Sequence, residues 1–294
     1  MTNKIRSAII AEGGGQKGIF TAGVLDAFLE KKFTPFDLKV GVSAGAQNLA
    51  AYCARARQYA QTAIESLTTE QQFFRPARFF TGGNVIDLDW YFHQVEHNGK
   101  VRFPTEPNNL TPDSNFYAVA SHHESLEPHY LHTWHDNMLN HLKASSAIPF
   151  LYRPAVKVQG HGMMDGGVAD PLPVRWAHSK GAKDIWVIRT IEAHDDGKMP
   201  VLERLKPIMR KVKQSPRMFE MYQHYQSRYA DAVEFMNAPP EGVNVIQIAP
   251  TRPLESMILG SSPETLKSDY QLGFELGLDA VDKWRKTVEV DAAV

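Results

Sequence analysis

A short strand-turn-helix pattern around Ser43 limits the folds that this chain can adopt. Apolar residues at positions 38, 40 and 42 predict a buried strand, and residues 44–54 predict a helix. Ser43 lies on the turn between them, in the sequence Gly41-Val42-Ser43-Ala44-Gly45. This is the G-x-S-x-G pattern of a nucleophile elbow, in which glycines avoid Cβ clashes across a tight turn. The N-terminus of the next helix would favour an oxyanion beside Ser43. The same pattern also fits a serine that only caps a helix.

Composition excludes several classes of protein. The chain has 294 residues, of which 43% are hydrophobic, enough for a sizeable core in one large or two modest domains. Lys and Arg number 32 against 33 Asp and Glu, for a net charge of -1. This balance argues against a dedicated binder of polyanions. We therefore expect no nucleic-acid partner.

The sequence also predicts a cytoplasmic location. The first apolar run ends at Glu12 and is too brief for a signal-peptide core. No stretch approaches the roughly 18 apolar residues of a membrane span. The single cysteine, Cys53, excludes an internal disulfide and is expected to be a buried structural thiol.

A glycine-rich loop joins a predicted strand at 7–11 to a predicted helix at 19–32. Its Gly13-x-Gly15-x-x-Gly18 spacing matches the dinucleotide-binding fingerprint, and Asp37 follows at a suitable distance. However, the ribose-binding acid belongs at the far end of the second strand, and Asp37 stands at its beginning. A Cβ-free loop can instead direct N–H groups at an oxyanion. Because neighbouring parallel strands end side by side, loop and Ser43 would face one pocket.

Residues 58–112 contain two aromatic groups. The first is mixed with arginines (Phe73, Phe74, Arg75, Arg78, Phe79, Phe80), and the second is Trp90-Tyr91-Phe92. One interpretation is a helical excursion that packs on the sheet. The other is an apolar wall of an acyl pocket, or a lid.

Five histidines follow a predicted strand at 115–121 and raise the question of a metal site: His122, His123, His129, His132 and His135. The last three share a side only on a helix, whereas residues 130–134 resemble a strand. No cysteine or close carboxylate pair accompanies them in sequence. We therefore expect no metal and interpret these histidines as solvated or hydrogen-bonded.

A serine hydroxyl needs a base, and Asp165 is the preferred candidate. It stands at the end of a predicted strand and is followed by Gly166 and Gly167, which let the backbone bend sharply. Alone, this pattern fits an ordinary turn. Asp170 is the alternative base, and His161 or His178 could act as a third member.

Four sequence blocks together resemble bacterial members of the patatin-like phospholipase family. They are the loop at 13–18, the elbow at 41–45, the Ala-Ser-Ser-Ala-Ile-Pro segment at 144–149 and Asp165-Gly166-Gly167. Each block is weak alone, but their order and combination are specific. The resemblance covers about residues 7–190. Glu12 stands where the family often has Asp, and we expect no effect from this change. Lys17 stands where Arg is frequent, and this change would alter contacts with the lipid head group more than the hydrolysis itself.

The resemblance implies an α/β fold with a mainly parallel central sheet flanked by helices as a three-layer sandwich. It also implies a Ser-Asp dyad, with Ser43 as nucleophile and Asp165 as general base. The implied oxyanion hole comprises Gly13, Gly14, Gly15, Gln16, Lys17 and Gly18. The implied elbow and dyad supports are Gly41, Ala44, Gly45, Gly166 and Gly167. No cofactor is implied.

We expect a catalytic domain at 1–196 and a C-terminal helix-strand-helix appendage at 197–294 that packs on it. A helix is predicted at 202–237, a strand at 243–248 and an amphipathic helix at 263–285. The appendage could cover the active site. Basic residues lie near the start of its first helix: Arg204, Lys206, Arg210, Lys211 and Lys213. They form either a peripheral contact with anionic lipid head groups or a solvated helix face.

Three hypotheses about function follow. The favoured one is a serine hydrolase that cleaves carboxylic esters of lipids, of phospholipase A or lysophospholipase type, through an acyl-enzyme. The second is a triad hydrolase that uses Ser43, an acid and a histidine such as His194. The third is a non-catalytic nucleotide-binding or phosphate-binding regulatory module that uses the glycine-rich loop.

Overall fold

The computed structural model describes residues 4–104, 110–195, 197 and 215–292. The strands in these ranges are β1 (Ser7–Ala11), β2 (Leu38–Val42), β3 (Phe116–His122), β4 (Pro128–His132), β5 (Val156–Val158), β6 (His161–Asp165), β7 (Asp184–Ile188) and β8 (Asn244–Ile248). The α-helices are α1 (Gly18–Glu30), α2 (Ala44–Cys53), α3 (Tyr59–Leu67), α4 (Leu88–His97), α5 (Met138–Ser145), α6 (Val174–Ser179), α7 (Ser215–Asn237) and α8 (Pro263–Ala292).

The described strands form one sheet in the order β5-β6-β3-β2-β1-β7-β8, with β4 also paired to β3. Within this order, the five adjacent strands β3, β2, β1, β7 and β8 run parallel to one another. The strands β4, β5 and β6 make antiparallel pairs. The mainly parallel sheet confirms the fold class expected from the sequence. The strand β8 comes from the region after residue 196 and extends the sheet beside β7.

Helices cover both faces of the sheet. Along β1, Ile9 packs in a cluster with side chains of α1, α2 and α5, whereas Ile10 packs in a second cluster with α6 and α7. Both faces of a central parallel strand are therefore buried, which accounts for the continuous apolar runs in the sequence.

The first and last helices of the described chain touch backbone to backbone. A Cβ atom on Gly273 of α8 would lie 2.1 Å from the carbonyl oxygen of Phe20 on α1. A Cβ on Gly23 would lie 2.2 Å from the carbonyl oxygen of Tyr270. Since only glycine permits so close an approach, these residues fix how α8 packs on α1.

The basic cluster predicted at 204–213 lies outside the described residues.

Candidate active site

Ser43 occupies a strained turn between β2 and α2. Its φ of 53° and ψ of −124° are unusual for a residue with a side chain. The flanking glycines make the turn possible. A Cβ on Gly41 would lie 2.4 Å from Cα of Ala46, and one on Gly45 would lie 2.3 Å from the carbonyl oxygen of Ala11. The elbow therefore brings α2 against both β1 and β2.

Asp165 lies beside the elbow because β2 and β6 meet end to end on one edge of β3. Some residues of β3 pair with both β2 and β4, and others pair with both β6 and β4. Because a strand has only two edges, β4 occupies one edge of β3, and β2 and β6 share the other. Val42 pairs with Val119, and Asp165 pairs with the next residue, Ala120. Asp165 thus takes the position on this edge that Ser43 would fill if β2 continued. Residues 122 positions apart in sequence meet through one intervening strand.

The carboxyl group of Asp165 is buried and partly unpaired. Its Oδ1 accepts a hydrogen bond of 2.8 Å from the N–H of Gly167. Its Oδ2 is buried without a hydrogen-bond partner among the described residues. Burial raises the pKa of Asp165 to about 6, although the nearby Ser43 hydroxyl and the Gly167 N–H act to lower it. The effect of the Ser43 hydroxyl on this pKa places the Ser43 and Asp165 side chains next to each other.

The segment at 144–149 holds both residues in place. Ser145 is buried, and its Oγ accepts a hydrogen bond of 2.9 Å from the N–H of Ser43. Two residues later, the carbonyl of Ala147 accepts one of 3.0 Å from the N–H of Asp165. Sequence analysis identified this segment only as one of the four blocks of the family resemblance, so the role of Ser145 was missed. The adjacent serines in an otherwise apolar block were the available signal.

The glycine-rich loop lies beside Ser43 and presents free main-chain donors. A Cβ on Gly13 would lie 3.1 Å from Cβ of Ser43. Within the described parts of the chain, the N–H groups of Gly13, Gly14 and Gly15 donate no hydrogen bond. The N–H groups of the remaining residues of the predicted hole are engaged. Those of Gln16, Lys17 and Gly18 donate to carbonyl groups.

Gln16 connects this loop to residues 256–261, which we call the C-terminal loop. Its N–H donates to the carbonyl of Ile258 at 2.9 Å, and its Oε1 accepts from the N–H of Ser261 at 2.8 Å. Its Nε2 donates to Oγ1 of Thr68 at 2.9 Å. The C-terminal loop is itself held by the buried Asp269, which accepts two hydrogen bonds from Ser256. Sequence analysis did not identify these contacts, because their partners are far apart along the chain.

Glu12 anchors the start of the glycine-rich loop. Its carboxylate accepts a hydrogen bond of 2.6 Å from the N–H of Thr190 and one of 2.8 Å from the hydroxyl of Tyr229 on α7. Oγ1 of Thr190 also donates to the carbonyl of Gly13 at 2.7 Å. Burial raises the pKa of Glu12, and these hydrogen bonds and nearby Arg189 act in the opposite direction. The Glu at position 12 is therefore accommodated by contacts from Thr190, just after β7, and from Tyr229 on α7.

A narrow apolar cavity extends from Ser43 between the helices. Side chains of α3, α4 and the neighbouring loops line it, including Ile64, Phe73, Ile86, Tyr91, Phe92 and Phe103. Phe73, Tyr91 and Phe92 thus combine the two interpretations made from the sequence. They pack in the core and also form part of the wall of a pocket.

A wider and more open cleft lies on the other side of Ser43. It is lined by Asp165, the three glycines at 13–15 and Lys17, together with residues of α7 such as Tyr222 and Tyr225. Ser43, Gly15 and Ile148 line both spaces. The serine therefore stands where a narrow apolar cavity meets an open cleft.

The alternative bases lie elsewhere. Asp170 accepts a hydrogen bond of 2.6 Å from the hydroxyl of Tyr130 and does not line either cavity. His161 packs against His122 and His129, whereas Nδ1 of His178 lies 3.2 Å from the carbonyl oxygen of Ala182. Among the described residues, no histidine lines the two spaces around Ser43.

The features that suggested other ligands are also separate from the serine. Asp37 accepts hydrogen bonds from the N–H groups of Arg6 and Ser7, at the opposite end of β1 from the glycine-rich loop. Within the described ranges, no group of three or more His, Cys, Asp or Glu side chains could hold a metal ion. Cys53 is buried, and burial raises the pKa of its thiol to about 11. No helix in the described part of the chain has the length and apolar character needed to span a membrane.

Fold and site together define an α/β protein with a serine elbow, a neighbouring buried carboxyl group and a glycine-rich loop. The sequence profile of patatin-like phospholipases matches residues 9–178. The chain belongs to this family. Residues 215–289 match a second profile, a domain of unknown function (DUF6363).

Similar proteins cover different shares of the chain. The uncharacterized protein YjjU of Escherichia coli is 38% identical over 268 residues, which is 91% of this chain and 75% of that protein. Human patatin-like phospholipase domain-containing protein 6 is 28% identical over 191 residues, or 62% of this chain but 13% of that much longer protein. The crystal structure of VipD from Legionella pneumophila superposes with a TM-score of 0.48 and 12% identity, covering 95% of this chain and 67% of that one.

Proposed function

We propose that this protein is a serine acyl hydrolase that cleaves carboxylic esters of lipids with a Ser43–Asp165 dyad. The observation that carries the proposal is the pairing of Val42 and Asp165 with consecutive residues of β3. It brings a strained serine and a buried carboxyl group to the same edge of the sheet. Family membership supports lipid hydrolysis in general, and this geometry supports the particular residues.

In the proposed reaction, Asp165 accepts the hydroxyl proton of Ser43 through its unpaired Oδ2 as Ser43 Oγ attacks the ester carbonyl. A carboxylate of ordinary acidity is a weak base for this step, and the raised pKa makes Asp165 a better one. The tetrahedral intermediate collapses to an acyl-enzyme, and the alcohol leaves with a proton from Asp165. Water then attacks the acyl-enzyme with Asp165 again as base, releasing the acid.

Main-chain N–H groups stabilise the oxyanion in this proposal. Those of Gly13, Gly14 and Gly15 are free to donate and lie at the cleft beside Ser43. The N-terminus of α2 adds the positive end of its dipole. Gln16, Lys17 and Gly18 support the loop through their engaged N–H groups.

The two spaces around Ser43 suggest how an ester binds. The apolar cavity between α3 and α4 takes the acyl chain, because its lining side chains are mainly aliphatic and aromatic. The wider cleft takes the alcohol portion, and Lys17 contributes a cation there.

The cytoplasmic location and the division of the chain into two domains at residue 196 remain predictions.

The test is hydrolysis of a soluble ester, p-nitrophenyl butyrate, together with labelling by a fluorophosphonate. The wild-type protein should be labelled at Ser43 and turn over the ester, and Ser43→Ala should do neither. Asp165→Asn should lower kcat by at least about 100-fold, because the general base is lost. The wild-type kcat/KM should rise as pH increases through about 6, where Asp165 loses its proton.

Asp170→Asn is the matched control. Asp170 is a second buried carboxyl group whose pKa burial raises to about 6, but it lies outside the cleft. The control should retain nearly full activity. Equal losses in the two variants would rule out Asp165 as the specific base, and unchanged hydrolysis in Ser43→Ala would rule out the mechanism.

A further inference from the structure

The described residues expose four large hydrophobic side chains, and they lie in two neighbouring segments. Phe79 is 49% exposed and Phe80 is 89% exposed, whereas Met257 and Ile258 in the C-terminal loop are 55% and 42% exposed. The C-terminal loop packs beside Phe74, a few residues before Phe79 and Phe80, since a Cβ on Gly260 would lie 3.3 Å from the ring of Phe74 and 4.0 Å from the terminal methyl of Met257. Soluble proteins seldom expose such residues in a group without a partner.

Two of these residues connect the exposed segments to the candidate active site. Ile258 lines the open cleft, and its neighbour Leu259 lines the apolar cavity. Phe79 lines a shallow depression that shares Pro149, Phe150 and Met221 with the cleft. Through Ile258 and Phe79, the two exposed segments therefore adjoin the space that leads to Ser43.

Cations without carboxylate partners accompany the exposed phenylalanines. The guanidinium of Arg153 lies 5.9 Å from the centre of the Phe79 ring and donates to the carbonyl of Phe79. Arg75 is exposed and, among the described residues, makes no side-chain hydrogen bond or ion pair. Aromatic side chains beside unpaired arginines match the boundary of an anionic bilayer, where rings enter the acyl region and cations meet phosphates.

We propose that Phe79, Phe80, Met257 and Ile258, together with Arg75 and Arg153, form a docking surface for an anionic lipid bilayer. We call it the rim surface. This proposal rests on the proposed function and adds to it that the ester substrate is a lipid within a bilayer. Docking through the rim surface places the mouth of the apolar cavity against the bilayer, so an acyl chain enters without crossing water.

The test is co-sedimentation with vesicles, using Ser43→Ala protein so that the lipids stay intact. Vesicles of phosphatidylcholine with phosphatidylglycerol should bind the protein more tightly than vesicles of phosphatidylcholine alone. Adding Phe79→Ser and Phe80→Ser should weaken binding to the mixed vesicles by at least about tenfold, since the variant lacks the two rings that enter the bilayer on docking. Arg75→Gln should weaken binding to mixed vesicles only. Arg55→Gln, an exposed arginine at the far end of α2, is the matched control and should bind normally.

Hydrolysis of soluble p-nitrophenyl butyrate separates this proposal from the preceding one. In a background with Ser43 intact, the double phenylalanine variant should keep its rate on the soluble ester and lose activity on the mixed vesicles. If the double variant binds vesicles as well as the parent protein does, the proposed rim surface is wrong. The proposal is also wrong if the protein does not bind vesicles and these phenylalanines instead drive its self-association. If vesicle binding behaves as expected but no ester is cleaved, the docking proposal stands and the proposed function fails.

Discussion

At the scale of single residues, Asp165 links the site to the stability of the fold. Burial without a partner for Oδ2 costs free energy whenever the carboxyl group is charged. Its pKa of about 6 in the folded chain lies above its ordinary value of 3.8. The folded state therefore binds the proton more tightly, and the free energy of unfolding falls as pH rises from about 4 to about 6.

Asp165→Asn should consequently stabilise the protein at neutral and alkaline pH while abolishing activity. Asparagine can accept the Gly167 N–H through its carbonyl oxygen and carries no charge to bury. Relative to its value at pH 4, the stability difference between variant and wild type should grow by up to about 3 kcal/mol by pH 7. Urea unfolding at a series of pH values measures it. A difference that stays constant across this range would contradict a raised pKa for Asp165.

At the scale of elements, the elbow depends on two glycines that serve packing between β1, β2 and α2. The strained φ of Ser43 is held because α2 lies against the strand at Gly41. A side chain there would meet helix backbone, which cannot move aside without displacing Ser43.

Gly41→Ala should therefore lower the free energy of unfolding by about 2 kcal/mol or more and impair ester hydrolysis. Gly99→Ala is the control, because no atom lies within 4 Å of a Cβ at that position. Urea denaturation and fluorophosphonate labelling of both variants provide the measurements. Similar stability of the two variants would show that the elbow tolerates a side chain at position 41.

The elements near Ser43 could be predicted from sequence because their signals are local. The predicted strand at 7–11 and the helix after Ser43 agree with β1 and α2. A G-x-S-x-G turn specifies its own geometry through neighbouring residues. By contrast, the meeting of β2 and β6 on β3 depends on strand pairing over long separations, which periodicity does not encode. Asp165 could be proposed from its glycines and from the family resemblance, but its register could not.

At the scale of the whole molecule, the last quarter of the chain is part of the structure around the site. The strand β8 extends the sheet, Tyr229 of α7 binds Glu12, and α8 packs on α1. Sequence analysis expected an appendage that packs on the catalytic region. It did not identify these particular contacts, because they join distant parts of the chain. The strands β7 and β8 pair across 60 positions, and the other two contacts join residues more than 200 positions apart.

The contact between α1 and α8 gives a prediction with an unusual sign. Replacing glycine with alanine inside a helix normally stabilises it by about 1 kcal/mol. Gly273→Ala should instead destabilise the protein by about 1–3 kcal/mol, because the new methyl would overlap the carbonyl oxygen of Phe20. Glu275→Ala, at an exposed position on the same helix, is the control. Thermal unfolding distinguishes them, and a stabilised Gly273→Ala would refute the close packing.

The hydrogen bonds from Gln16 to Ile258 and Ser261 also bear on when activity arises during biosynthesis. A ribosome releases the elbow, the aspartate and the glycine-rich loop long before the residues that fasten that loop. A nascent chain that lacks them holds the reacting groups without the clamp that fixes their main-chain donors. Under the proposed function, ester hydrolysis is therefore expected only after residues 256–261 have left the ribosome and bound Gln16.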